Sequence, residues 1–136
     1  MSASLSSERT LQDQACLAGE QFHKLFYETF DKRRTVLNKL YQDSASMVWN
    51  GNPVQSSAKI QQFLDKLPIS EHTVDSLDSQ PIPPELTPGQ TSVAVITSGK
   101  VKFEGNKDCN FVQNFTIAST QGGTWKIVSD CFRYQE

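Results

Sequence analysis

The side chains able to do chemistry are few and scattered. Two histidines, His23 and His72, lie far apart and belong to no HxxxH, CxxC or HExxH spacing, so the sequence offers no transition-metal site. Three cysteines, Cys16, Cys109 and Cys131, leave one over from any pairing, and none has a base beside it in sequence. They read as free thiols in a reducing compartment, Cys16 packing a helix, Cys131 packing a strand and Cys109 lying near a turn. What remains for acid–base work is Tyr27, Tyr41, Asp78 and Asp130, because a carboxylate in an apolar pocket has its pKa raised and can act as a base. Each has a plain structural reading too: the tyrosines as amphipathic residues at a core edge, the aspartates as hydrogen-bonded strand or interface residues.

Charge narrows the partners. A formal net charge of −2 argues against direct, affinity-carrying contact with nucleic acid, and the one basic cluster, Lys32-Arg33-Arg34, decorates the exposed side of a helix. With 136 residues the chain is expected to form a single domain over 1–136, large enough to bury a core without a metal or disulfide staple. There is no signal-type N-terminus and no run of about 18 apolar residues, so a soluble protein with no membrane insertion is expected.

The elements that must position these residues are legible from periodicity. Three extended runs, 91–103, 110–119 and 124–134, carry apolar residues at alternate positions: Val93, Val95, Val101 and Phe103; Phe111, Phe115 and Ile117; Trp125, Ile127 and Cys131. Turn signals at 104–107 and 121–123 join them into an antiparallel meander. Before them, Leu11, Ala15, Phe22, Leu25 and Phe26 recur at helical spacing, with Ser6 or Ser7 as the N-cap and Glu8 in the first turn. Asp31 looks like the cap of a short second helix, Asn50-Gly51 turns a first hairpin, and Ser56 or Ser57 caps a third helix ending near Leu67, before Pro68. A further strand spans 72–80, and a proline-rich loop follows. Segregated helices beside an antiparallel sheet mean an α+β fold, with the sheet curled around three helices.

The sheet's other face is unusual. Ala94, Ile96, Ser98, Val112, Asn114, Thr116, Ala118, Val128, Phe132 and Tyr134 are small, hydroxylated or apolar, with few charges among them. A solvated face carries more Lys and Glu, so this one is expected to be covered by another element or chain, although Thr, Val and Tyr are also simply good strand formers.

Several runs carry a resemblance. Asp31-Lys32-Arg33-Arg34, Val48-Trp49-Asn50-Gly51-Asn52, Leu77-Asp78-Ser79-Gln80-Pro81, the stretch Val101-Lys102-Phe103-Glu104-Gly105-Asn106-Lys107, and Ser129-Asp130-Cys131-Phe132-Arg133 together resemble the nuclear transport factor 2-related export proteins, from about Gln12 onward. That resemblance implies a cone-shaped nuclear transport factor 2-like fold. It implies no enzyme and no cofactor, but the small subunit of a heterodimeric messenger RNA export receptor. The partner is a similarly folded domain of the large receptor, met sheet to sheet. Nucleoporin Phe-Gly repeats are bound through that receptor, RNA is contacted only indirectly, and the pair shuttles between nucleus and cytoplasm. Arg133 matches the family arginine that pairs with a receptor carboxylate, where loss of one partner of a desolvated pair costs roughly 3–5 kcal/mol. Asp78 matches an acidic position at the same interface. Val112, Asn114, Thr116, Val128, Phe132 and Tyr134 are the expected contributors of contact area. Ser56 and Ser57 depart from the pattern, standing where relatives often carry glycine.

Strict alternation creates a conflict, since it puts Arg133 on the same side as Trp125 and Ile127. Either a bulge near Ser129 or Asp130 switches the parity, or the strand end runs past the helices, and the sequence does not choose. Two alternative functions share the fold: a homodimeric carrier of the GTPase Ran, and a pocket enzyme of ketosteroid isomerase or scytalone dehydratase type built on Tyr27, Tyr41, Asp78 and Asp130.

Overall fold

The computed structural model describes residues 2–119 and 124–135, with side chains from Arg9 onward; the expected turn at 121–123 lies outside the described residues. A long helix α1 (Ser2–Lys32) and a 3-10 helix (Arg34–Leu40) lead into the hairpin β1 (Tyr41–Trp49) and β2 (Asn52–Gln55). Then come α2 (Ser57–Asp65), β3 (Ser70–Pro81), β4 (Thr91–Phe103), β5 (Cys109–Ser119) and β6 (Trp125–Gln135). The six strands form one curved sheet in the order β2-β1-β6-β5-β4-β3, wrapped around the helices. The meander β4-β5-β6 is antiparallel throughout, whereas β1 runs parallel to β6 and so bonds the first hairpin to the last strand.

The helices seat on the inner face through aromatic rings. Phe22, Phe26 and Phe30 follow one another at four-residue spacing on α1, all buried. Phe26 lies 4.7 Å from Phe115, 5.0 Å from Tyr27 and 6.4 Å from Tyr41 between ring centroids. Trp49 stacks on Phe132 at 3.9 Å and 7°. A helix this close to a sheet needs a gap in its surface: a Cβ on Gly19 would sit 1.8 Å from Ser79 Oγ. Asp31 caps no second helix. It belongs to the last turn of α1, and its carboxylate accepts from the His72 amide at 2.8 Å and from Ser70 Oγ at 2.7 Å. The start of α1 at Ser2 likewise places Ser6 and Ser7 inside the helix rather than at its cap.

The parity conflict resolves as a bulge. Thr116 pairs with Ser129 and Ile117 with Ile127, leaving Val128 as the extra residue on β6. Every side chain after it is turned over. Phe132, expected outside, is instead buried against Trp49, since the bulge gives it the parity of Ile127. Tyr134 follows Phe132 on that side, opposite the buried Phe111, with its ring edge against Phe132 at 5.4 Å. Cys131, expected to pack inward, is exposed on the outer face together with Arg133. Val128 itself is half-buried. Cys16 is exposed too, on the solvent side of α1 rather than in its packing.

Two stability outcomes follow from these placements. Phe132→Ala empties a stacked core position and is expected to cost about 3–5 kcal/mol in urea unfolding; a loss below about 1 kcal/mol would return Phe132 to the outer face. Ser56 caps α2 by accepting from the Lys59 amide at 3.3 Å, but holds φ 84 and ψ 147. Ser56→Gly relieves that backbone at the loss of a weak cap and is expected to raise stability by about 1 kcal/mol.

Candidate partner face and buried polar network

Three rows of side chains, set by the cross-strand registers, cross the middle of the outer face. The central row runs Val48, Cys131, Asn114, Ile96, Asp78 from β1 to β3. Beside it runs Ser46, Ser129, Thr116, Ala94, Gln80, and on its other side Arg133, Val112, Ser98, Ser76. Val48 and Ile96 are 37% and 44% exposed, high for large aliphatic side chains in mid-sheet. Between the first two rows the surface sinks into a concavity of about 380 Å³.

Arg133 and Asp78 both project from this face and are exposed. They stand three strands apart, at roughly 4.8 Å per strand, too far to neutralise one another. Among the described residues Arg133 has no ion-pair partner, while Asp78 accepts only from Gln80 Nε2 at 3.3 Å. Val112, Asn114, Thr116 and Ile96 stand on this face as expected; Val48, Cys131 and Ser129 join them. Cys131 and Ser129 were hidden by the bulge, and Val48 by the parallel pairing of its strand. Toward the far end of β3 and β4 the face changes character, with a second concavity of about 260 Å³ lined by Glu71, Thr73, Asp75, Lys100, Lys102 and Asp108.

The acid–base candidates divide. Asp78 is outside, but Tyr27, Tyr41 and Asp130 meet inside the cone. The Tyr41 hydroxyl donates to Asp130 Oδ2 at 2.6 Å, and Gln113 Nε2 donates to Asp130 Oδ1 at 2.8 Å. Tyr27 donates to Gln113 Oε1 at 2.7 Å and lies 2.6 Å from Thr97 Oγ1. All five groups are buried. The signal for Gln113 and Thr97 was in the sequence, as polar residues on the inward parity of otherwise apolar strands. Burial pushes the Asp130 carboxyl up, outweighing the bonds from Tyr41 and Gln113, to about 6 from an ordinary 3.8. Burial also drives both tyrosine hydroxyls above their usual range. Each of the five groups is thus bonded to another member of the set, which orders the interior of the cone.

His72 packs its ring 4.8 Å from Tyr27 but bonds outside this network. Its Nδ1 lies 2.7 Å from Asp31 Oδ1. Burial raises the Asp31 carboxyl, yet the bonds from the ring, the amide and Ser70 outweigh it and hold it below the ordinary value. His23 Nδ1 reaches only the Gly19 carbonyl, at 3.2 Å. Among the described residues no three His, Cys, Asp or Glu side chains are grouped to hold a metal ion, and no helix is long and apolar enough to cross a membrane.

The nuclear transport factor 2 (NTF2) domain family matches residues 18–134. The chain belongs to that family, in its export-protein branch. It is 51% identical over 131 residues to human NTF2-related export protein 2, covering 94% of this chain and 92% of that one. The Caenorhabditis elegans NTF2-related export protein is 29% identical over 136 residues, covering 98% of each. Among solved structures, nuclear transport factor 2 from Cryptosporidium parvum superposes with a TM-score of 0.80 at 24% identity, over 90% of this chain and 95% of that one. One from the Candida albicans Mtr2–Mex67 M domain complex gives 0.72 at 18%, over 90% and 96%. The fold is also that of a putative scytalone dehydratase from Novosphingobium aromaticivorans, at TM-score 0.69 and 11% identity over 96% and 89%.

The buried carboxyl makes stability depend on pH in a stated direction. Asp130 binds its proton more tightly folded than unfolded, so its contribution is full below the unfolded value of 3.8 and is lost as pH rises through about 6. That loss is on the order of 3 kcal/mol. Asp31 runs the opposite way, its stabilisation fading as pH falls below the ordinary carboxylate value. Urea titrations across about pH 4–7 are therefore expected to show a slope in the wild type that Asp130→Asn removes, whatever that variant's absolute stability. Identical slopes would mean Asp130 titrates normally.

Proposed function

We propose that this chain is the small, non-enzymatic subunit of a heterodimeric messenger RNA export receptor, docking through its outer sheet face on the nuclear transport factor 2-like domain of a large receptor. The observation that carries this reading is Val48 and Ile96 exposed in mid-sheet among small side chains, with Arg133 unpaired beside them among the described residues. A face of this kind favours a cover, and a guanidinium fork at its side favours a carboxylate on that cover. The export-protein names of the relatives and the Mtr2–Mex67 complex support the same reading. So does the satisfied interior, where Asp130 is held by Tyr41 and Gln113.

In this role the subunit acts by covering. It stabilises the receptor's domain, and the receptor then engages the Phe-Gly repeats of nucleoporins. The net charge of −2 leaves RNA to be held by the partner. The pair moves between nucleus and cytoplasm. Arg133 orients the two sheets, Asp78 marks the opposite border of the face, and Val112, Asn114 and Thr116 supply contact area between them.

The test is co-purification and calorimetry with the receptor's matching domain, wild type beside Arg133→Asp. Tight wild-type binding is expected, weakened by about two to three decades in the charge-reversed variant while its circular dichroism is unchanged. Equal binding by both would remove Arg133 from the interface. No binding by either, with a stable homodimer on sizing, would favour the Ran carrier.

A further inference from the structure

The outer face is indented, and the indentation has a specific origin. Had β6 kept strict alternation, Asp130 and Phe132 would point outward, putting a charge and a large ring into the middle of the face. The extra residue Val128 sends Ser129 and Cys131 there instead. Ser129 then falls in line with Ser46, Thr116 and Ala94 on the neighbouring strands, a row of small side chains beside the taller Val48 and Ile96. The resulting hollow, about 380 Å³, holds on the order of a dozen waters at about 30 Å³ each. A flat partner would trap that water against aliphatic walls.

Resting on the reading that the partner docks on this face, we infer that the hollow is a socket for one large apolar side chain projecting from the partner's sheet. Asn114 is the single amide in the central row. The side chains of the nearest charges of that face, Arg133, Asp78 and Lys126, lie outside the hollow, and Asp130 borders it only from beneath, its carboxylate turned inward to Tyr41 and Gln113. Its occupant is therefore aliphatic or aromatic, with a carboxylate following on the Arg133 side. The other concavity calls for a different treatment. Glu71 is opposite Lys102 and Thr73 opposite Lys100, with Asp75 and Asp108 nearby. Covering that mixed-charge patch would desolvate several ions at once, so it stays wet at the border of the footprint. The socket thus sets both the register of the two sheets and which end of β3 and β4 remains free.

The test fills the socket in the full chain. Ser129→Trp and Ala94→Phe, on separate strands, are each expected to weaken binding to the receptor domain by about a hundredfold or more in calorimetry, the size of a lost anchor. The double change Lys100→Glu, Lys102→Glu is expected to leave affinity within about threefold, as for border charges. Independently of folding in the variants, N-ethylmaleimide labelling of the wild type, read by mass spectrometry, is expected to find Cys131 protected in the complex and Cys16 reactive with or without the partner. Filled variants that bind as the wild type does, or a Cys131 that labels equally fast in the complex, would overturn the socket while leaving the heterodimer standing. A wild type that fails to bind removes the heterodimer and the socket together.

Discussion

Val128 has no residue opposite it on β5, and the arrangement of everything beyond it depends on that single insertion. With it, Asp130 faces inward to receive Tyr41 and Gln113, and Phe132 faces inward to stack on Trp49. The same half-turn brings Cys131 and Arg133 outside. One extra residue therefore assigns the last strand's side chains to two separate tasks, holding the cone together and furnishing its outer surface.

The buried carboxyl is the cost of this solution and also its lock. A buried acid is unfavourable when ionised, which is why burial raises its pKa to about 6. The network around it, however, joins α1 through Tyr27, β1 through Tyr41, β5 through Gln113 and β6 through Asp130. A one-residue slip of β6 would strand Tyr41 and Gln113 without their acceptor and bring Arg133 toward the core. Such polar sets add little net stability but penalise the wrong register heavily.

Much of this was legible beforehand, and the reasons for the failures are local. The three long strands, the apolar parity of the first two, the Asn50-Gly51 hairpin and the Ser56 cap all follow from period and turn chemistry, and the structure has them. Arg133 conflicts with the alternation of its own strand, and a bulge accounts for the conflict, one position before the expected stretch. Phe132, Tyr134 and Cys131 were assigned by strict alternation to the wrong sides, because a bulge has no composition signature at Val128. Asp31 has the sequence-local signature of a cap, whereas its actual partners His72 and Ser70 lie about forty residues away. Val48 and Ser46 gained their place only from the parallel pairing of β1 with β6, a long-range fact that no local pattern carries.

That parallel pairing has a temporal side. Tyr41 and Asp130 are 89 residues apart in sequence, and the inner edge of β1 has β6 as its neighbour. While the chain is being synthesised, β1 and β2 can form only a two-stranded hairpin, which is marginal by itself in water. The edge of β1 that will face β6 stays unpaired until the final strand emerges. The first hairpin thus waits on the last strand, a high-contact-order closure that folds slowly and leaves a sticky edge exposed meanwhile.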